Sequence, residues 1–180
     1  MLYDIIMTEV ILIASDNETK FTISRKAAKL SDHLSSMLEE CDENSVEEIP
    51  MMEIAPDILE KIVQFLNYHV DNPPEDIKPP IKTSEFKSIA CPFDSNLLDL
   101  KWDTVIAIIN AANYLHIECL LKLAISKLAT IVYNKDAEEL RVMFNLPKLS
   151  EEEEDAMEER IRTENPWIVD PELYDYPGKA

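Results

Sequence analysis

The residues of this 180-residue chain that could carry out chemistry are its cysteines, its histidines and a large excess of carboxylates. No two cysteines form a C-x-x-C pair, and the histidines fall in no spacing typical of metal ligands, so the sequence predicts no metal site. The cysteines in predicted loops have no basic residue beside them that would indicate an activated thiol. The cysteines and histidines are Cys41, Cys91, Cys119, His33, His69 and His116.

Glycine is almost absent from the chain, because Gly178 is the only one. Dinucleotide-binding loops, P-loops and nucleophile elbows all need glycine where the backbone takes a positive φ or approaches a phosphate. His116 is predicted at a helix end, and the glutamates at 151–154 begin a helix, unlike the spaced oxygen ligands of a calcium loop. We therefore expect a protein without catalytic activity, cofactor or metal ion.

The charge of the chain excludes two classes of partner. Its 17 Lys and Arg against 36 Asp and Glu give a formal net charge of −19. Nucleic acids and anionic membranes are bound chiefly through Lys and Arg, so we expect neither as a partner. A hydrophobic content of 46% is typical of a globular protein. With no secretory signal and no apolar run long enough to cross a bilayer, we expect a soluble, intracellular chain.

The first half of the chain has the pattern of a small sheet with helices. Residues 10–14 are predicted as a buried strand and residues 20–23 as its hairpin partner, with Asn17 in a turn where glycine is usual. One helix is predicted over residues 24–40, and a short extended segment over 49–54. Asp57 is predicted to begin the next helix.

The second half is mainly helical. Residues 71–91 contain two Pro-Pro pairs and are predicted as a long, flexible surface loop. Asp103 is predicted to cap one apolar helix, and a second follows over 118–132. Both helices are apolar over more than one stripe, which is typical of a central core helix or of a surface covered by another molecule. Short polar helices are predicted over 136–141 and 150–165, the latter begun by a capping box of Ser150 and Glu153.

One motif in the apolar region resembles a known family. Residues 111–115, Ala-Ala-Asn-Tyr-Leu, followed by Ile117 and the Leu-Leu pair at 120–121, resemble the AANYLxIxxLL pattern of the S-phase kinase-associated protein 1 family. That family supplies the adaptor that links a cullin scaffold to F-box proteins in SCF ubiquitin ligases. The resemblance covers about residues 10–168, including EELR at 138–141 and ENPW at 164–167. Phe93 departs from it, standing where the family has tryptophan.

The resemblance implies an α/β fold with a BTB/POZ-type core, a small sheet with packed helices, over residues 8–132. It implies a helical, F-box-binding extension over 133–168, and leaves the tail at 169–180 without a role. Asn113 and Tyr114 would face the cullin. The implied F-box groove comprises Ile106, Ile109, Leu121, Ile125, Leu128, Phe144, Leu146 and Trp167. At helical spacing, the leucines and isoleucine at 121, 125 and 128 could equally be plain core.

The function implied by the resemblance is that of a non-catalytic adaptor between F-box substrate receptors and a cullin. Its expected location is the cytoplasm and nucleus, and the chain would form a homodimer when no F-box protein is bound. The alternative is an elongin-C-like or kinetochore-type BTB module that binds other helical box motifs. The extension from Phe144 to Trp167 argues against the elongin-C version, whose chains resemble this one only through the BTB portion.

Overall fold

Three short strands form the sheet of the protein, for which a computed structural model describes residues 9–39, 41 and 45–165. The strands are β1 (Glu9–Ile13), β2 (Lys20–Ser24) and β3 (Glu47–Pro50). They lie in the order β2-β1-β3, and β1 runs antiparallel to β2 and parallel to β3. Asn17 takes a left-handed conformation with φ of 59°, so the predicted hairpin turn forms without glycine.

The helices follow in two units, because the chain divides between Asn134 and Lys135. The first unit contains α1 (Arg25–Ala28), α2 (Asp32–Glu39), α3 (Pro56–His69), α4 (Pro92–Leu97), α5 (Trp102–Tyr114) and α6 (Glu118–Val132). The second contains α7 (Ala137–Met143) and α8 (Glu151–Glu164). Within the described residues, no helix has the length and hydrophobicity needed to cross a membrane.

The core of the first unit lies between the inner face of the sheet and three helices. The sheet contributes three buried side chains to this core, those of Val10, Leu12 and Ile23. Helix α3 lies at its centre because apolar residues occupy most of its circumference, and Leu59 and Phe65 are fully buried. Helices α5 and α6 pack against each other beside it. The core therefore fixes the position of the α5–α6 pair.

The prediction of a single helix over residues 24–40 was wrong, because the structure has two helices there, α1 and α2. The Ser24 side chain accepts a hydrogen bond from the Ala27 amide and caps α1. The Ser31 hydroxyl accepts one from the Leu34 amide at the start of α2. Serine hydroxyls compete with the helical backbone for such donors and favour caps, so each serine begins a new helix.

Two predicted helix starts were also wrong. Helix α3 begins at Pro56, one residue before Asp57, because proline is well suited to the first helical position. Helix α5 is preceded by Lys101, and Asp103 lies in its first turn, where the carboxylate accepts a hydrogen bond from the Thr104 amide. Asp103 therefore lies near the positive end of the helix, without capping it.

The segment over 71–91 is attached to the core at several points, and its last part is regular. Phe86 begins a 3₁₀ turn, Phe86–Ser88, and its side chain is buried, while Ile77 packs against the core. Helix α4, which the sequence analysis did not predict, follows at once. Its start is capped by the Cys91 sulfur, which accepts a hydrogen bond from the Asp94 amide.

The helices of the second unit begin with capping boxes. Asp136 and Glu139 exchange side-chain and backbone hydrogen bonds at the start of α7. The predicted capping box of Ser150 and Glu153 is confirmed at the start of α8. The Ser150 amide and hydroxyl donate to Glu153 and hold the pKa of its carboxyl below the usual range. No residue of these two helices is buried, so their ends are held by local hydrogen bonds.

Candidate protein-interaction site

The corner between α5 and α6 positions the residues expected to face the cullin. Helix α5 ends where His116 takes a left-handed conformation with φ of 51°. The next residue, Ile117, returns to the core, and its amide donates to the Ala112 carbonyl at 2.9 Å. Asn113 and Tyr114 therefore lie in the last turn of α5, and both are exposed.

Helix α2 supports this corner from one side. The His33 ring packs against the Tyr114 ring, with centroids 5.2 Å apart and planes inclined by 58°. The buried Ser31 hydroxyl donates to the Leu115 carbonyl. These contacts restrict the rotation of the Tyr114 side chain, although the residue is 41% exposed. A partner that binds the ring therefore costs little further side-chain entropy.

A small recess lies beside Tyr114, and the sequence analysis did not identify it. Its volume is about 240 Å³. Its apolar lining includes Ile54, Ala55, Ile58, Ala107, Ala111 and Tyr114. These residues come from the segment just before α3, from the first turn of α3, and from the middle and end of α5. Because the two segments lie far apart in the sequence, no local pattern could have joined them.

The apolar strip, defined as Ile106, Ile109, Leu121, Ile125 and Leu128, consists of residues that are not fully buried on α5 and α6. Ile125 is 49% exposed, whereas its neighbour Ala124 is fully buried. Ile109, Leu121 and Leu128 are half-buried and pack partly on the core. The alternative hypothesis was that residues 121, 125 and 128 belong to the core. It does not hold for Ile125, because that residue is about half exposed. Each helix thus has one apolar face in the core and apolar residues beyond it.

The second unit carries further exposed apolar residues. Phe144 directly follows α7 and is half-buried, and Leu146 is 55% exposed. Val142 is more exposed still, and the sequence analysis did not select it. Arg141 pairs with Glu138 and lowers the pKa of that carboxyl, and its guanidinium also donates to the Leu146 carbonyl beyond the end of α7. Trp167 lies outside the described residues.

The thiols and carboxylates of the described residues give no indication of a metal site, nor of an activated thiol at Cys91 or Cys119. No group of three or more His, Cys, Asp or Glu residues among them could hold a metal ion. Burial raises the pKa of the Cys91 thiol and of the Cys119 thiol above the ordinary value. Because the thiolate is the nucleophile, these shifts disfavour reactivity. The arrangement of the described residues is suited to binding other proteins.

Comparison with known proteins identifies the family. Residues 9–71 match the family model described as Skp1 family, tetramerisation domain, and residues 118–168 match the one described as Skp1 family, dimerisation domain. These matches confirm the BTB/POZ-type α/β fold class that the resemblance implied. They begin in β1 and extend beyond α8, and they leave out residues 72–117, which contain Ile106, Ile109, Asn113 and Tyr114.

Individual relatives match almost the whole chain. The S-phase kinase-associated protein 1 homolog of Tetrahymena thermophila is 37% identical over 162 residues, which cover 89% of this chain and 93% of the relative. The SKP1-like protein 18 of Arabidopsis thaliana is 34% identical, with 88% and 95% covered. The E3 ubiquitin ligase complex SCF subunit sconC of Arthroderma otae is 30% identical, with 91% and 96% covered. The chain belongs to the Skp1 family.

Proposed function

We propose that this chain is a non-catalytic adaptor that links F-box substrate receptors to a cullin scaffold in an SCF-type E3 ubiquitin ligase. The observation that carries the proposal is the pair of surfaces on α5 and α6. One is the exposed end of α5 at Asn113 and Tyr114, and the other is the apolar strip. Relatives named as SCF subunits, at about the same length as this chain, support the same role.

The apolar strip has the chemistry needed to accept helices from an F-box. Amphipathic helices bind by placing an apolar face on a groove of exposed apolar side chains, spaced by about one helical turn. Leu121, Ile125 and Leu128 follow that spacing along α6, and Ile125 has the exposed area for such a contact. Taken by itself, the second unit carries the exposed Leu146, which offers an F-box protein an apolar contact of its own.

The end of α5 has a different character and suits a separate partner. Tyr114 combines an apolar ring with a hydroxyl, and aromatic residues of this type are enriched at the centre of interfaces. The recess beside it provides a place for an apolar side chain of the cullin. Partners bound at the end of α5 and at the apolar strip would both be held by the packed α5–α6 pair.

The mechanism is positional, and the chain contributes no reacting group. By joining the receptor to the cullin, the adaptor raises the effective concentration of the substrate near the ubiquitin-charged enzyme. The match of residues 118–168 to a Skp1 family domain favours this role over the elongin-C-like alternative, which would end with the BTB portion. Without an F-box protein, the apolar strip favours a homodimer, since a second copy that covers Ile125 and its half-buried neighbours removes apolar area from water.

The test is affinity purification of the tagged chain from its own cells, with identification of the co-purifying proteins by mass spectrometry. We expect at least one F-box protein and one cullin, in a complex that reconstitutes from purified components. A tag without the chain is the matched control. Recovery of other helical-box proteins, with neither an F-box protein nor a cullin, would overturn the proposal in favour of the alternative module.

A further inference from the structure

A cavity of about 420 Å³ lies where the 3₁₀ turn, α4 and α6 come together. The turn packs against both of these helices. The inner wall of the cavity consists of its buried and half-buried residues, Phe86, Ser95 and Lys127. The rim consists of its exposed residues, Glu85, Lys87 and Asp99. The inner wall and the rim therefore differ in polarity and charge, which points to a ligand with more than one kind of group.

The hydroxyl of Ser95 is buried without satisfying its hydrogen-bonding capacity. The residue is 4% exposed, and its Oγ has no hydrogen-bond partner among the residues that the structure describes. By contrast, the hydroxyls of Ser126 and Thr130 on α6 donate to carbonyls three or four positions earlier in the helix. Because a buried polar group without a partner is unfavourable, the Ser95 hydroxyl favours a ligand that can bond to it. Rotation about the Cα–Cβ bond can turn the hydroxyl toward the cavity that Ser95 lines.

Two ammonium groups accompany this hydroxyl. Nζ of Lys127 lies 5.2 Å from the centroid of the Phe86 ring, so a cation–π interaction holds the ammonium at the inner wall. Within the described part of the chain, neither Lys127 nor Lys87 forms an ion pair with a carboxylate. Each ammonium has three hydrogens to donate and no acceptor. The cavity therefore offers several donors, and two positive charges, to an anion with several oxygens.

These donors match a phosphate monoester. Such a group carries a charge of about −1.5 to −2 at pH 7 and has three strong acceptor oxygens. The carboxylates of Glu85 and Asp99 on the rim repel a ligand that is only negative, and they attract a positive group beside the phosphate. The rim thus selects a ligand in which the phosphate has a cationic neighbour.

We propose that this cavity is a binding site for a phosphate monoester that carries a positively charged group beside it. The phosphate binds Lys127, Lys87 and the Ser95 hydroxyl. The positive group lies at the rim, near Glu85 and Asp99. A small phosphorylated amine has this chemistry, and so does a phosphorylated side chain of a protein with a basic residue next to it.

The cavity lies apart from the apolar strip. Lys127 follows Ile125 by two positions on α6, which places the two side chains about 200° apart around the helix. A ligand in the cavity therefore leaves Ile125 uncovered. The phosphate site does not depend on the proposed function.

Titration of the full chain with O-phosphoethanolamine, followed by the amide NMR signals, tests the site. We expect saturable shifts at Phe86, Lys87 and Lys127, and tighter binding than that of inorganic phosphate or of ethanolamine. A peptide with phosphoserine between two arginines, compared with its unphosphorylated form, distinguishes the sources. Tighter binding of the phosphopeptide indicates a protein segment, and weaker binding indicates a small phosphorylated amine. Absence of saturable shifts at these amides with every phosphorylated probe would overturn the proposal.

Two substitutions in the inner wall separate a phosphate site from a structural role. Ser95→Ala and Lys127→Met should each weaken O-phosphoethanolamine binding by about tenfold, since each removes a donor to a charged group. Lys122→Met makes the same change of charge on the same helix and should leave the affinity unaltered, because Lys122 pairs with Glu118 outside the cavity. Ser95→Ala should not lower the thermal stability of the chain, because its hydroxyl has no protein partner to lose.

Three results with these variants would overturn the proposal. If Ser95→Ala bound the probe as tightly as the unmodified chain, the hydroxyl would contact only water. If Ser95→Ala lowered the thermal stability, the hydroxyl would have a structural partner. If Lys122→Met lost as much affinity as Lys127→Met, the probe would respond only to the overall charge of the chain.

The rim is tested by the double variant Glu85→Gln, Asp99→Asn. Removing both carboxylates should strengthen the binding of inorganic phosphate and weaken that of O-phosphoethanolamine, so that the preference for the cationic neighbour disappears. The amide signals of the same three residues report both titrations. A double variant that keeps the preference of the unmodified chain would overturn the selection of a cationic neighbour by the rim.

Discussion

The Ser31 hydroxyl donates a hydrogen bond of 2.5 Å to the Leu115 carbonyl, although 84 positions separate the two residues. Both residues are fully buried. The same hydroxyl accepts from the Leu34 amide, so it joins the start of α2 to the end of α5. Because Leu115 directly follows Tyr114, this hydrogen bond helps to position the surface proposed to face the cullin.

Ser31→Ala should lower the free energy of unfolding by about 1–3 kcal/mol, because a buried carbonyl loses its best donor. Urea denaturation measures the change. Ser36→Ala is the matched control, since its exposed hydroxyl bonds only within α2, to the Asp32 carbonyl. We expect the control to change stability by less than about 0.5 kcal/mol. Equal effects of the two variants would contradict the role assigned to Ser31.

Replacing Asn113 and Tyr114 by alanine should weaken cullin binding by about tenfold or more, as expected where an interface loses a central aromatic residue. F-box binding should be unchanged, because the apolar strip remains intact. Calorimetric titration with each partner measures both affinities. Val142→Ala, an exposed apolar truncation in the second unit, should leave cullin binding unaltered. Unchanged cullin affinity in the double variant would mean that this surface does not bind the cullin.

Ile125→Asn should weaken F-box binding by about tenfold or more, because it places a polar group in the middle of the apolar strip. The fold should persist, since the side chain is already about half exposed. Met52→Asn is the control, because Met52 is even more exposed and lies in the turn after β3. If both variants lost F-box affinity to a similar extent, the loss would be a general effect of added polarity. The apolar strip on α6 would then not be the binding surface.

Trp167→Ala should reduce the free energy of F-box binding by about 2 kcal/mol or more, if this residue is a hot spot of the kind that tryptophan commonly forms. The residue lies outside the described residues, so the prediction rests on the family resemblance. Surface plasmon resonance with an F-box protein measures the effect, and cullin binding serves as the internal reference. If the F-box affinity of this variant were unaltered, Trp167 would not contact the F-box protein.

The turn between β1 and β2 should lose stability in acid because of Asp16. The Thr19 hydroxyl and the amides of Thr19 and Glu18 donate to its carboxylate and hold its pKa below the ordinary value of 3.8. Because the pKa of Asp16 is lower in the folded chain than in the unfolded chain, its carboxylate stabilises the fold at pH values above the unfolded-state pKa. That stability is lost as the pH falls through the folded-state pKa. Asp16→Asn removes the titration, so the stability difference from the unmodified chain should shrink towards zero in acid. Urea denaturation of both chains from neutral to acidic pH tests this prediction. A difference in unfolding free energy that stays constant with pH would contradict it.

Features that depend on neighbouring residues were predictable from the sequence. Asn17 in the hairpin turn and the capping box of Ser150 and Glu153 are decided within a few positions, and the structure has both. The break between α1 and α2 was not predicted. It depends on Ser31, whose hydroxyl is held by a carbonyl at the distant end of α5. The buried contact between His69 and Asp94 was not predicted either, because the two side chains come from different helices.

The family resemblance, the scarcity of glycine for phosphate-binding loops and the apolar character of α5 and α6 on more than one side could all be read from the order of residues alone. Which side of each helix is buried depends on the packing of the folded chain. Ala124 and Ile125 are neighbours and both are apolar, yet the smaller alanine is fully buried and the larger isoleucine is half exposed. Helical periodicity identifies an apolar face, but what covers that face depends on residues brought together from the rest of the chain.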